Sequence, residues 1–113
     1  TARLICQRGL EWCPNHPPLN YLAGDLLLLL GFPKGALSYF EYCLQMGREG
    51  TYYQGDPFPM QFINTFPAYG LGCTHLALKN WPQAIAAFNL ALSFDPNYTP
   101  AKEQLAIITQ QHP

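Results

Sequence analysis

The chain repeats itself. Aligning "NYLAGDLLLLLGFPKGALSYFEYCLQMG" with "AYGLGCTHLALKNWPQAIAAFNLALSFD" sets Gly24 against Gly72 at an offset of 48 residues. Ala36 then falls on Ala84, Phe40 on Phe88, and Cys43 on Ala91. Small residues thus recur at three places with an aromatic among them. A proline stands where a second helix would start in each segment, Pro33 and Pro82. The physical reading is helix-on-helix packing. Small residues let two antiparallel helices approach closely, and the aromatic fills the gap between one pair and the next. Each pair then keeps an open apolar face that a neighbouring pair must cover. The expected fold is all-α, with helices over roughly 2–12, 17–30, 33–47, 65–79, 81–94 and 99–111.

The spacing of these residues resembles the tetratricopeptide repeat family. The second segment carries the family pattern in Leu71-Gly72, Trp81, Ala84, Phe88, Ala91 and Asp95-Pro96-Asn97. It departs at His75, where the family has an aromatic. The first segment matches at Gly24, Gly31, Ala36, Phe40 and Cys43, but Arg48 stands in place of its closing proline. "ARLICQRGLEWCPNHP" is similar to the second helix of an earlier repeat, through Ala2, Cys6, Gly9, Leu10 and Pro14-Asn15. "TPAKEQLAIITQQ" is similar to the first helix of a later one, with Leu105-Ala106 in the Leu-Gly slots and Pro100 in the first turn.

The resemblance implies a short superhelix of about six helices, interrupted by an irregular aromatic insert. The chain is expected to form one domain, divided into a preceding helix (1–16), a repeat (17–50), the insert (51–64), a repeat (65–98) and a terminal helix (99–113). A solenoid end normally needs a polar outer face, and helix 2–12 offers only Arg3, Gln7, Arg8 and Glu11 for it. The chain therefore reads as a piece of a longer protein.

Composition narrows the partners. The net charge of −1 gives no steering toward nucleic acid or anionic lipid. Charged residues are 12% of the chain, about half the usual share, so part of the surface is expected to be covered by something else. The leucine run from Leu26 to Leu30 is bounded by Asp25 and Gly31-Phe32-Pro33, far short of the ~20 residues that span a bilayer. No basic segment precedes an apolar stretch at the N-terminus, so no signal peptide is expected. Cys6, Cys13, Cys43 and Cys73 form no CxxC pair. They read as reduced thiols of a cytoplasmic protein, with Cys6 and Cys43 at helix positions that favour small apolar residues. Cys13 and His16 lack a second pair of metal ligands at suitable spacing.

No catalytic constellation is present. No serine has a His and an acid in a recognisable frame. There is no Gly-rich phosphate loop and no H-E-x-x-H pair. His75 reads as a half-buried packing residue, and Asp95 as part of the Asp-Pro-Asn turn between units. No cofactor and no metal are expected, and the chain is not expected to be an enzyme.

The family frame implies a groove lined by the first helix of each pair. It places Tyr21, Asp25 and Leu28 there in one unit, and Tyr69, Cys73 and Leu76 in the other. Tyr21 and Tyr69 are equivalent, so they form either an aromatic strip for an extended peptide or packing contacts with neighbouring helices. The frame argues against the carboxylate clamp that some family members use. That clamp needs Lys, Arg and Asn for charge-assisted hydrogen bonds. The corresponding positions here hold Tyr21, Leu22, Asp25, Tyr69, Gly70 and Cys73.

The insert is the second candidate surface. The offset of 48 residues exceeds the family period of about 34 by about 14. Tyr52, Tyr53, Phe58, Phe62, Phe66 and Tyr69 crowd this region. Loops this long and apolar are seldom free in water. One reading has the insert fold back on the solenoid, or lengthen the helix after Pro59. The other makes Tyr52, Tyr53, Phe58 and Phe62 a contact surface. The two are compatible.

The expected function is a non-catalytic interaction module for a protein, a peptide or a neighbouring domain of the same parent chain. The order of a "CPNHPP" turn, a "LAGDLLLLLG" helix, an "ALSYFEYCLQMG" helix and a Tyr- and Gly-containing insert is also similar to tetratricopeptide regions attached to bacterial family-2-type glycosyltransferases. That resemblance implies a parent enzyme with its catalytic domain outside these residues. None of the transferases' Asp-x-Asp metal motif is present here. A self-associating structural module, stacking exposed helix faces between copies, is the alternative of another class.

Overall fold

The computed structural model describes residues 16–51 and 59–111. Its elements are α1 (Pro17–Leu29), α2 (Pro33–Glu49), a 3₁₀ turn (Met60–Ile63), α3 (Thr65–Ala77), α4 (Trp81–Phe94) and α5 (Thr99–Gln111). The fold among these residues is all-α: two helical hairpins, α1–α2 and α3–α4, followed by α5. The expected helix over 2–12 lies outside the described residues. The other five fall within two residues of their expected ends.

Prolines mark the starts for a shared reason. The first turn of a helix has no internal partner for its N–H groups, so a residue without one costs nothing there. Pro17, Pro33 and Pro82 all stand in first turns. Pro67 is the third residue of α3 and is buried. His16 caps α1, its Nδ1 accepting from the Leu19 N–H at 3.4 Å.

Each hairpin turn needs one residue in the left-handed region. In the first it is Gly31, with φ +87°. At the equivalent place in the second it is Lys79, with φ 61°. Gly50 ends α2 the same way, its N–H bonding to the Met46 carbonyl at 2.8 Å.

The two aromatics of the repeat hold the hairpins together. Phe40 and Phe88 are fully buried. A Cβ added to Gly24 would lie 2.9 Å from Phe40 Cε1, so only glycine lets α1 approach α2 this closely. The Phe88 ring covers Gly72 in the same way. Ala36, Cys43, Ala84 and Ala91 are completely buried, as small residues at a close helix approach must be. Cys43 is a free thiol, its Sγ lying 3.6 Å from the Pro17 carbonyl. A single buried cluster then runs from Leu44 on α2 through Ala68, Ala84, Phe88 and Ala91 to Ala101 and Ile108 on α5. The open face of each pair is thus covered by the next element.

The C-terminal end of the insert belongs to this packing. Ile63 is buried, and its carbonyl lies so near Gly47 that a Cβ there would approach to 2.5 Å. The helix after Pro59 is not a lengthened α3. Asn64, at φ −139° and ψ −85°, breaks the chain between the 3₁₀ turn and Thr65. Asp95 makes the inter-unit turn, its carboxylate accepting from the Asn97 N–H at 3.1 Å.

Candidate functional site

The first helices of the hairpins carry the six residues expected to line a groove. Tyr21, Asp25 and Leu28 lie on successive turns of α1, and Tyr69, Cys73 and Leu76 on successive turns of α3. All six are half-buried. Of the clamp positions, Leu22 is exposed, while Gly70 is buried under Phe40 and presents no side chain.

The two tyrosines each rest on the buried aromatic of their own hairpin. Tyr21 packs on Phe40 with centroids 5.6 Å apart, and Tyr69 on Phe88 at 5.5 Å. They do not end there. Tyr21 also meets Phe62 at 5.6 Å and Phe66 at 5.8 Å, and Phe62 stands edge-on to Phe66 at 5.2 Å. Phe66 meets Tyr98 at 6.2 Å, and Tyr98 stands edge-on to Tyr69 at 5.5 Å. These separations suit favourable ring pairs. A continuous strip results: Phe62, Tyr21, Phe66, Tyr98 and Tyr69, every ring half-buried.

The strip merges the two candidate surfaces. Phe62 comes from the insert, yet it sits against Tyr21 of α1. Tyr52, Tyr53 and Phe58 lie outside the described residues. Sequence reasoning missed Tyr98 altogether and counted Phe66 only as part of the crowded region. Phe66 lies three residues before Tyr69, a spacing that puts both on one helix face. Tyr98 immediately precedes α5, and no periodicity marks a turn residue.

Burial sets the chemistry of the strip. It pushes the Tyr21 hydroxyl up to about 12, with the Asp25 charge adding to the effect. Tyr69 and Tyr98 are raised for the same first reason, and the neighbouring Cys73 adds to both. The Cys73 thiol is also raised, by burial and by Asp25, against a hydrogen bond with Tyr69 that opposes the shift. Burial lifts Cys43 to about 12. Neither thiol is ionised near neutral pH, so neither has the lowered pKa of a catalytic nucleophile. The tyrosine hydroxyls remain neutral hydrogen-bonding groups. Among the described residues, no three His, Cys, Asp or Glu side chains come together to hold a metal ion. No described helix is long and apolar enough to cross a membrane. His75 is half-buried near the end of α3, its Nδ1 lying 3.5 Å from the Asn80 amide.

Residues 67–98, most of α3 with all of α4 and the turn that follows, match the family model of the tetratricopeptide repeat. The chain carries a tetratricopeptide repeat. No curated protein matches it, and no solved structure does. Within the repeat, α3 is the first helix and α4 the second. The α1–α2 hairpin reproduces their contact, with Gly24 and Phe40 where the repeat has Gly72 and Phe88. Tetratricopeptide repeats mediate protein–protein interaction, and a scaffold role follows at that coarse level.

Proposed function

We propose that this chain is a non-catalytic interaction module that binds an extended peptide along the face shared by α1 and α3. The observation that carries the reading is the aromatic strip. Five half-buried rings from two hairpins, the insert and the turn before α5 line up without a break. Half-buried rings offer large, rigid contact area at low entropic cost, the property that enriches aromatics in binding surfaces. Phe62 makes the end of the insert a wall of this groove. The peptide would come from another protein or from a further part of the parent chain.

The test is selection of a random decapeptide library on the immobilised protein, followed by amide NMR mapping of the enriched peptides. Shifts concentrated on α1, α3 and residues 60–66 are expected. Enriched peptides that shift only residues of α2 and α4, or a library that yields none, would overturn the reading.

A further inference from the structure

Lys102 of α5 stands one turn beyond Tyr98, but the two helices that line the strip hold no such charge. No lysine or arginine lies on α1 or α3. The cations of the described residues are Lys34 and Arg48 on α2, Lys79 in a turn, and Lys102 on α5. Two carboxylates stand close in the chain to rings of the strip, Asp25 four residues after Tyr21 and Asp95 three residues before Tyr98. Asp25, one turn beyond Tyr21 on α1 and half-buried, acts electrostatically on Tyr21 and on Cys73 of α3. Asp95 acts on Tyr98. A third carboxylate, Glu103 on α5, falls about 34 residues beyond Tyr69, the repeat period, and is exposed. Its neighbour one turn on, Ile107, is also exposed, at 45%.

Resting on the groove reading above, we infer that the occupant is a cationic peptide, one that lays lysine or arginine side chains over the strip Phe62, Tyr21, Phe66, Tyr98 and Tyr69. Ring faces attract cations through their quadrupoles. The carboxylates of Asp25 and Asp95 supply the counter-charge, and the tyrosine hydroxyls accept hydrogen bonds from ammonium or guanidinium groups. An acidic peptide would meet like charges and find no cation on either lining helix. The polarity is opposite to that of a carboxylate clamp.

The decapeptide selection decides this as well, read by composition. Enriched peptides should carry more Lys and Arg than the starting library. Their affinity should fall as salt rises. Asp25→Asn, a near-isosteric change on a half-buried helix residue, should weaken them roughly two- to five-fold, in line with a partly exposed charge pair. A thermal melt of the variant checks that the fold is kept. Acidic or neutral winners that map to the same face would overturn the cationic assignment and leave the groove intact. Basic winners indifferent to both salt and Asp25→Asn would overturn it too. A selection with no winner on that face would overturn both readings.

Discussion

Phe40 lies on Gly70, across the joint between the two hairpins. A Cβ at Gly70 would fall 2.7 Å from both Cε1 and Cζ of the ring. The same ring covers Gly24 of its own hairpin, so one side chain is held between two glycines of different units. Gly70→Ala must therefore push a fully buried ring with nowhere to go. Overpacking of this kind costs about 1–3 kcal/mol. Gly35→Ala is the control. Its added methyl would meet only the two methyls of Leu27, Cδ1 at 3.3 Å and Cδ2 at 4.0 Å, the far end of a flexible side chain. Better helix propensity should make that variant neutral or more stable, by up to ~1 kcal/mol. Urea midpoints of the two variants measure both, and equal midpoints would contradict the account.

The end of the insert is core. Ile63 is 6% exposed and wedged against Gly47, while Met60 in the same 3₁₀ turn is 56% exposed. Ile63→Ala should lose about 2 kcal/mol or more, as a buried aliphatic truncation does. Met60→Ala should stay within about 0.5 kcal/mol. Chemical denaturation of both distinguishes a packed segment from a loosely attached one.

Lys79 holds a left-handed backbone that Gly31 holds at the equivalent turn. A side chain in that region costs about 1–2 kcal/mol, part of which glycine gives back in unfolded-state entropy. Lys79→Gly should stabilise the protein by about 0.5–1 kcal/mol. Gly31→Ala should destabilise it by a similar amount with no steric contribution, since nothing lies within 4 Å of the added methyl. Differential scanning calorimetry should show the melting temperatures moving in opposite directions.

Alkaline stability follows from the buried thiol and hydroxyl. In the folded chain, Cys43 is raised from 9.0 to about 12 and Tyr21 from 10.0 to about 12. The unfolded chain therefore loses these protons first as pH rises. Their contribution is complete below pH 9 and is lost progressively toward pH 12. Unfolding free energy from urea titrations should be level from pH 7 to 8.5 and fall above it. Tyr21→Phe, which removes one titrating hydroxyl, should make the decline shallower. An unchanged slope in that variant would show that Tyr21 does not contribute.

The sequence by itself determined the helices and their pairing. Gly24, Ala36, Phe40 and Cys43 recur as Gly72, Ala84, Phe88 and Ala91, because close helix contacts accept few residue types and helical geometry fixes their spacing. First-turn prolines and the Asp-Pro-Asn turn marked the ends for equally local reasons. The tertiary structure alone decided what the rings between the hairpins do. Phe62 could have pointed to solvent, and Tyr98 sits in a turn with no repeat signal. Their approach to Tyr21, Phe66 and Tyr69 depends on how the insert end seats on Gly47 and how Phe40 spans Gly24 and Gly70. Those are contacts between residues far apart in the chain, and local periodicity carries no record of them.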